Sequence, residues 1–234
     1  MNRDQILKEM RLGPIWKLRQ PPKKKKGAES AAAIAAPVDV RTATIAAMGW
    51  DELKQAVADC TACELCKTRK QAVLGVGDVA ATWLFVGEGP GADEDECGEP
   101  FVGKAGKLLD AMLAAIDLKR GKNIGGGVYI ANAVKCRPPD NRTPEADETA
   151  ACWPFLARQI ELIQPQLIVT LGKPAAQTLL QQEVKIADAR GKVHDFAGIP
   201  LIVTYHPAYL LRNLPDKSKA WEDLCFMRKT MKDF

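Results

Sequence analysis

Trp83-Leu84-Phe85-Val86-Gly87 is a run of apolar residues that ends abruptly in Glu88-Gly89-Pro90-Gly91. A short apolar run without alternation reads as a strand buried on both faces, and the glycines after it read as a loop at its carboxyl end. The pattern returns in Val128-Tyr129-Ile130-Ala131, Leu167-Ile168-Val169-Thr170-Leu171 and Leu201-Ile202-Val203-Thr204. Segments of helical length lie between these runs at residues 104–116, 145–163 and 173–181, and another closes the chain at 217–232. Short apolar strands separated by helices imply parallel pairing. The expected fold is therefore α/β, a three-layer α/β/α domain around a central, mostly parallel four-stranded sheet. Ligands of such sheets sit beyond the carboxyl ends of the strands. The unusual residues gather there, at 88–101, 132–142 and 206–213.

The chain has 234 residues, 47% of them hydrophobic, and a net charge of +4. That is enough for one well-buried domain and a tail. The charge is compatible with nucleic acid but says little by itself; Lys23, Lys24, Lys25 and Lys26 standing together say more. Residues 4–19 read as an amphipathic helix with Ile6, Met10, Ile15, Trp16 and Leu18 on its apolar face. Residues 20–40 read as a flexible linker, with Pro, Lys and Ala in place of large apolar groups. Residues 43–58 are helical again, with Ile45, Met48, Leu53 and Val57 at helical spacing. The expected division is thus a helix and basic linker over 1–42 and a folded domain over 43–234. Neither a signal peptide nor a membrane span is legible, so a cytoplasmic protein is expected.

Seven cysteines are many for a reducing compartment, where clustered thiols hold metal more often than they pair. Cys60 and Cys63 form a C-x2-C pair, and Cys136 and Cys152 lie far downstream. Four such thiolates can enclose a zinc ion or a [4Fe–4S] cube, and their chemistry alone does not choose. Cys66 extends the pair toward a bacterial ferredoxin run, but Lys70 stands where that run needs its next cysteine. Cys66, Cys97 and Cys225 are read as ordinary thiols.

The segments Gly87-Glu88-Gly89-Pro90-Gly91-Ala92-Asp93-Glu94-Asp95 and Pro100-Phe101-Val102-Gly103-Lys104-Ala105-Gly106 together resemble the first motif of family 4 uracil-DNA glycosylases. Asn132-Ala133-Val134-Lys135-Cys136-Arg137-Pro138-Pro139, Leu171-Gly172 and His206-Pro207-Ala208-Tyr209-Leu210-Leu211-Arg212 follow in the family's order, over residues 57–234. The resemblance implies uracil excision from DNA and a [4Fe–4S] cluster held by Cys60, Cys63, Cys136 and Cys152.

Site roles follow from that chemistry. A side-chain amide can bond both O4 and N3 of uracil and is mispaired with cytosine, a role for Asn132. A flipped base is held against an aromatic face, a role for Phe101, with Gly87, Gly89 and Gly91 allowing close approach. Bond cleavage puts positive charge on the sugar and negative charge on the base, so Glu88 is expected near the sugar and His206 near O2. Glu94 joins Gly89 in the substrate-binding set, although it and Asp95 read equally as caps of a following helix. Leu210 and Leu211 are expected to fill the gap left by the flipped base, with Arg212 on phosphate. His194 reads as a surface residue.

The segment 7–19 resembles the N-terminal peptide of the psi subunit of bacterial DNA polymerase III, which implies docking on the clamp loader. Two other functions compete: a uracil binder without turnover, and a metal-stapled interaction module. The first would need a histidine in an insertion after the second strand, where Arg137-Pro138-Pro139-Asp140-Asn141-Arg142-Thr143 has neither. A monomer is expected.

Overall fold

Six strands form one mixed sheet in the order β1-β3-β2-β4-β6-β5 in the computed structural model, which describes residues 40–121 and 127–232. The strands are β1 (Val76–Gly77), β2 (Trp83–Gly87), β3 (Val128–Asn132), β4 (Leu167–Leu171), β5 (Val193–Phe196) and β6 (Ile199–Thr204). β3, β2, β4 and β6 are the four expected strands, and each pairs in parallel with its neighbour. Every residue of β2, β3 and β4 is buried, as strands covered by helices on both faces must be.

The sheet is wider than expected because an antiparallel strand is added at each edge. β1 has two residues, too few for any period to show. β5 carries His194 and Asp195 and alternates between exposed and half-buried positions, so it lacks the apolar run of the inner strands. It returns into β6 through Ala197 (φ 50) and Gly198 (φ 86), the two left-handed residues of a tight hairpin. Short, polar edge strands of this kind limit pairing with other chains.

The alternate faces of the inner strands feed two cores. Phe85, Ile130, Val169 and Ile202 meet Leu109 and Leu113 of the helix Lys104–Ala114 and Leu224 and Met227 of the helix Lys217–Thr230. Leu84, Ala131, Ile168 and Val203 meet Leu156 and Ile160 of the helix Ala146–Ile163 and Ala176 and Leu179 of the helix Lys173–Leu180. That is the three-layer arrangement. A third core joins Ile45, Leu53, Val57 and Leu65 to Val134, Cys136, Cys152 and Phe155.

The helix expected over 43–58 is two helices, Val40–Ala46 and Trp50–Ala58. The first ends at Ala46, and Gly49 opens the second, its N–H donating to Glu52 Oε2 at 2.9 Å. The expected boundary between residues 42 and 43 falls inside the first of these helices. Arg41 is already committed there: its Nη1 donates to Ala151 O at 2.8 Å, and its guanidinium lies 5.0 Å from the Phe155 ring centre. The helix and linker read over 4–19 and 20–40 lie outside the described residues, except for Val40. Among the described residues no helix is long and apolar enough to cross a membrane.

Candidate active site

Parallel register brings the strand ends level. Gly87 of β2 faces Asn132 of β3, and Leu171 of β4 faces Thr204 of β6. The residues just beyond those ends must therefore meet at one edge of the sheet. They surround a cavity of about 720 Å³ whose walls include Glu88, Gly89, Glu94, Phe101, Asn132 and His206.

Asn132 is 2% exposed, and its Oδ1 has no hydrogen-bond partner. A buried amide oxygen without a donor costs about 1–3 kcal/mol, and among the unpartnered buried atoms of the described residues this one belongs to a residue that lines the cavity. Its main chain is held from behind, where the fully buried Lys135 donates from Nζ to Asn132 O at 2.7 Å. Gly87 lies against this amide. A Cβ there would stand 2.4 Å from Asn132 Oδ1 and 2.6 Å from Phe101 Cζ. Only a glycine leaves both groups in place.

Phe101 is 6% exposed and lies beside His206, with ring centres 5.5 Å apart and planes tilted by 31°. His206 caps the helix Pro207–Arg212, its Nδ1 accepting the Ala208 N–H at 3.1 Å. With Nδ1 used as acceptor, the neutral ring carries its proton on Nε2. Burial, helped by the Arg212 charge and opposed by Glu94, pushes the imidazole pKa down to about 4. His206 is thus a neutral donor at ordinary pH. Glu88 is shifted the other way: burial raises its carboxyl above the usual range, while a hydrogen bond with the Thr143 side chain opposes the rise.

A second, smaller pocket lies in the third core, and Cys60, Cys63, Cys66, Cys136 and Cys152 all line it. Donors face these sulfurs. Arg69 Nη1 is 2.8 Å from Cys136 Sγ, the Lys135 N–H is 3.2 Å from Cys152 Sγ, and Arg41 Nη2 is 3.7 Å from Cys60 Sγ. Burial raises the Cys152 thiol to about 12 and raises Cys136 and Cys63 as well. Among the described residues no three His, Cys, Asp or Glu side chains form a site for a single metal ion. Cys97 and Cys225 lie elsewhere, exposed.

A family model described as the uracil DNA glycosylase superfamily matches residues 74–225. A type-4 uracil-DNA glycosylase of Thermotoga maritima is 46% identical over 163 residues, 69% of this chain and 82% of the relative. That of Pyrobaculum aerophilum is 40% identical over 185 residues, 76% and 92% of the two chains. That of Archaeoglobus fulgidus is 44% identical over 169 residues, 69% and 82%. The chain belongs to the type-4 uracil-DNA glycosylases.

Within this glycosylase, the candidate residues Glu88, Gly89, Phe101, Asn132 and His206 all line the cavity. Glu94 lines it too, but its carboxylate is already engaged. Oε2 accepts the Gly91 N–H at 3.0 Å, and Oε1 accepts those of Val102 at 2.9 Å and Gly103 at 3.1 Å. It clasps the loop that carries Phe101. Asp95 is buried and accepts the Lys70 N–H at 2.9 Å.

Leu210 corrects an expectation. It is 1% exposed and packs in the core of the glycosylase, because the segment after His206 turns at once into a helix and aims it inward. The outward residues are Leu211, 40% exposed, and Arg212, which reaches the cavity wall. His194, read as a surface residue, lies half-buried on the edge strand β5 with its Nε2 2.9 Å from Ala189 O. Sequence reasoning passed over Lys135 and Thr143. Thr143 meets Glu88 only across the fold, and Lys135 reaches the Asn132 carbonyl three residues back only because the chain turns after β3.

Proposed function

We propose that the strand-end cavity is where this uracil-DNA glycosylase reads a flipped base and releases it. One observation carries the assignment: the buried, unpartnered Oδ1 of Asn132 stands near the Phe101 ring, whose centre lies 5.5 Å from that of a neutral His206. Oδ1 accepts uracil N3–H while Nδ2 donates to O4. Cytosine offers a lone pair and an amine at those positions, so both contacts turn unfavourable. The base stacks on Phe101, and Gly89 lets the backbone approach.

As the N1–C1′ bond breaks, its electrons pass to uracil and collect at O2, where His206 Nε2–H donates. Positive charge grows on the sugar, where the ionised Glu88 stabilises it and orients a water. That water's oxygen bonds to C1′ and one of its protons goes to solvent, while the departing uracil anion takes a proton from solvent at N1. The products are free uracil and an abasic site. Leu211 enters the space vacated by the base, and Arg212 contacts phosphate.

We assign a [4Fe–4S] cluster to Cys60, Cys63, Cys136 and Cys152. The donor set fits: these four thiols line one pocket, together with Cys66, and N–H groups of Arg69, Lys135 and Arg41 stand beside three of the four sulfurs, as anionic cluster ligands require. When bound, the cluster would staple the segment after the N-terminal helices to the loop after β3 and to the helix Ala146–Ile163. Residues 7–19 are assigned to docking on the replicative clamp loader, and the enzyme works as a monomer.

The test of base reading is Asn132→Asp. Uracil excision should fall by roughly 10²-fold, since a carboxylate cannot donate to O4, and measurable release of cytosine should appear. Excision of uracil at the parental rate would remove Asn132 from this role.

A further inference from the structure

Phe101 has a left-handed backbone, with φ 57. A bulky residue keeps that conformation only where its surroundings hold it. Glu94 does so from one side, through the amides of Val102 and Gly103. The other side is held by Arg120, which does not line the cavity.

Arg120 follows the helix Lys104–Ala114 and reaches back across its start. Nη1 donates to Pro100 O at 2.7 Å, Nη2 donates to Phe101 O, and Nε donates to Asp110 Oδ1 at 2.5 Å. Its side chain is 21% exposed and that of Asp110 51%, so the bridge is shielded mainly at the arginine. The Phe101 carbonyl has no room to retreat either, because a Cβ on Gly106 would stand 1.6 Å from its oxygen. The loop is thus gripped through its amides by a carboxylate and through its carbonyls by a guanidinium.

We infer that Arg120 is a positioning residue for base recognition. Its fork, aligned by Asp110, fixes the backbone of Phe101 so that the ring stays over Gly87 beside the Asn132 amide. The inference rests on the assignment of Phe101 as the stacking partner. Its chemistry is specific to arginine: three N–H groups in one plane serve two carbonyls and a carboxylate together, and an ammonium has no such fork.

The test uses the full chain and a short uracil-containing oligonucleotide, with kcat, KM, inhibition by free uracil and thermal melting measured for each variant. Arg120→Met should raise KM and the inhibition constant of uracil about fivefold or more, the range expected for a lost base–aromatic stack. Arg120→Lys should resemble Arg120→Met rather than wild type, and Asp110→Asn should move the same quantities less. Phe101→Leu should show the same defect, and adding Arg120→Met to it should change KM by less than about twofold, because the two act through one contact.

Parental KM and uracil inhibition in Arg120→Met, alongside a defective Phe101→Leu, would overturn the inference. So would a lower melting point with reduced kcat and unchanged KM, the signature of a purely structural arginine. So would independent, multiplying defects in the double variant. Parental kinetics in Phe101→Leu would instead bring down the stacking assignment, and the role of Arg120 with it.

Discussion

Burial holds His206 neutral, and neutrality decides which atom it offers. A charged imidazole would donate from both nitrogens, but here Nδ1 accepts from Ala208, which leaves Nε2–H for the base. The ring gains a proton only near pH 4, well below its ordinary 6.5. Burial raises Glu88, so it protonates first as pH falls, and the proposed mechanism needs it ionised. The acid limb of kcat/KM should therefore belong to Glu88 and lie above the ordinary glutamate value of 4.5. A pH–rate profile checks this: the limb should disappear in the residual activity of Glu88→Gln and persist in His206→Asn. A limb near 6.5 that vanishes with His206 would show the ring to be charged in the working range. Glu88, Asn132 and His206 were legible in the sequence because each stands at or just past an apolar strand. Glu94 was legible as a cap, and its Oε2 does take the N–H of Gly91 at the start of the helix Ala92–Cys97. Its hold on the amides of Val102 and Gly103 was not, because they reach it only after the chain has turned through Gly98 and Phe101.

Short elements do the placing. The helix Pro207–Arg212 has six residues, and its pitch alone sends Leu210 inward and Leu211 outward. Leu210→Ala should cost about 2–5 kcal/mol of stability by denaturant unfolding, as truncations of buried leucines do. Leu211→Ala should leave stability within about 0.5 kcal/mol and slow excision from duplex DNA. The reverse pattern would restore Leu210 to the DNA. Gly87→Ala tests the end of β2: its Cβ collides with the Asn132 amide and the Phe101 ring together, so kcat/KM should drop at least about tenfold as measured on a uracil oligonucleotide. The inner strands could be read from sequence because burial on both faces leaves an unbroken apolar run. The edges could not, since Val76–Gly77 is too brief and Val193–Phe196 too polar. Gly49 hid a helix break inside a helical apolar spacing, because its cap depends on Glu52 folding back.

At the scale of the whole molecule, the cysteine pocket ties the two N-terminal helices to the loop after β3 and to the helix Ala146–Ile163. Protein purified without oxygen should carry about four iron atoms per chain. Alanine at Cys60, Cys63, Cys136 or Cys152 should lower iron content and thermal stability. Cys66 lines the same pocket, so Cys66→Ala is the informative control. It should keep its iron, and its loss there alone would reassign the ligand set. Deleting residues 1–39, which spares Arg41, should leave excision from a short oligonucleotide nearly intact, with any loss shrinking as salt rises. The central claim is that the strand-end cavity removes uracil from DNA, and release of the free base tests it most directly. Wild type and Asn132→Ala, matched for iron content and melting temperature, should be incubated with uracil-containing oligonucleotide and the liberated uracil quantified. The account predicts many uracils per wild-type chain and at least about a tenfold slower release by the variant. No free uracil from the wild type, or equal release by both, would contradict it.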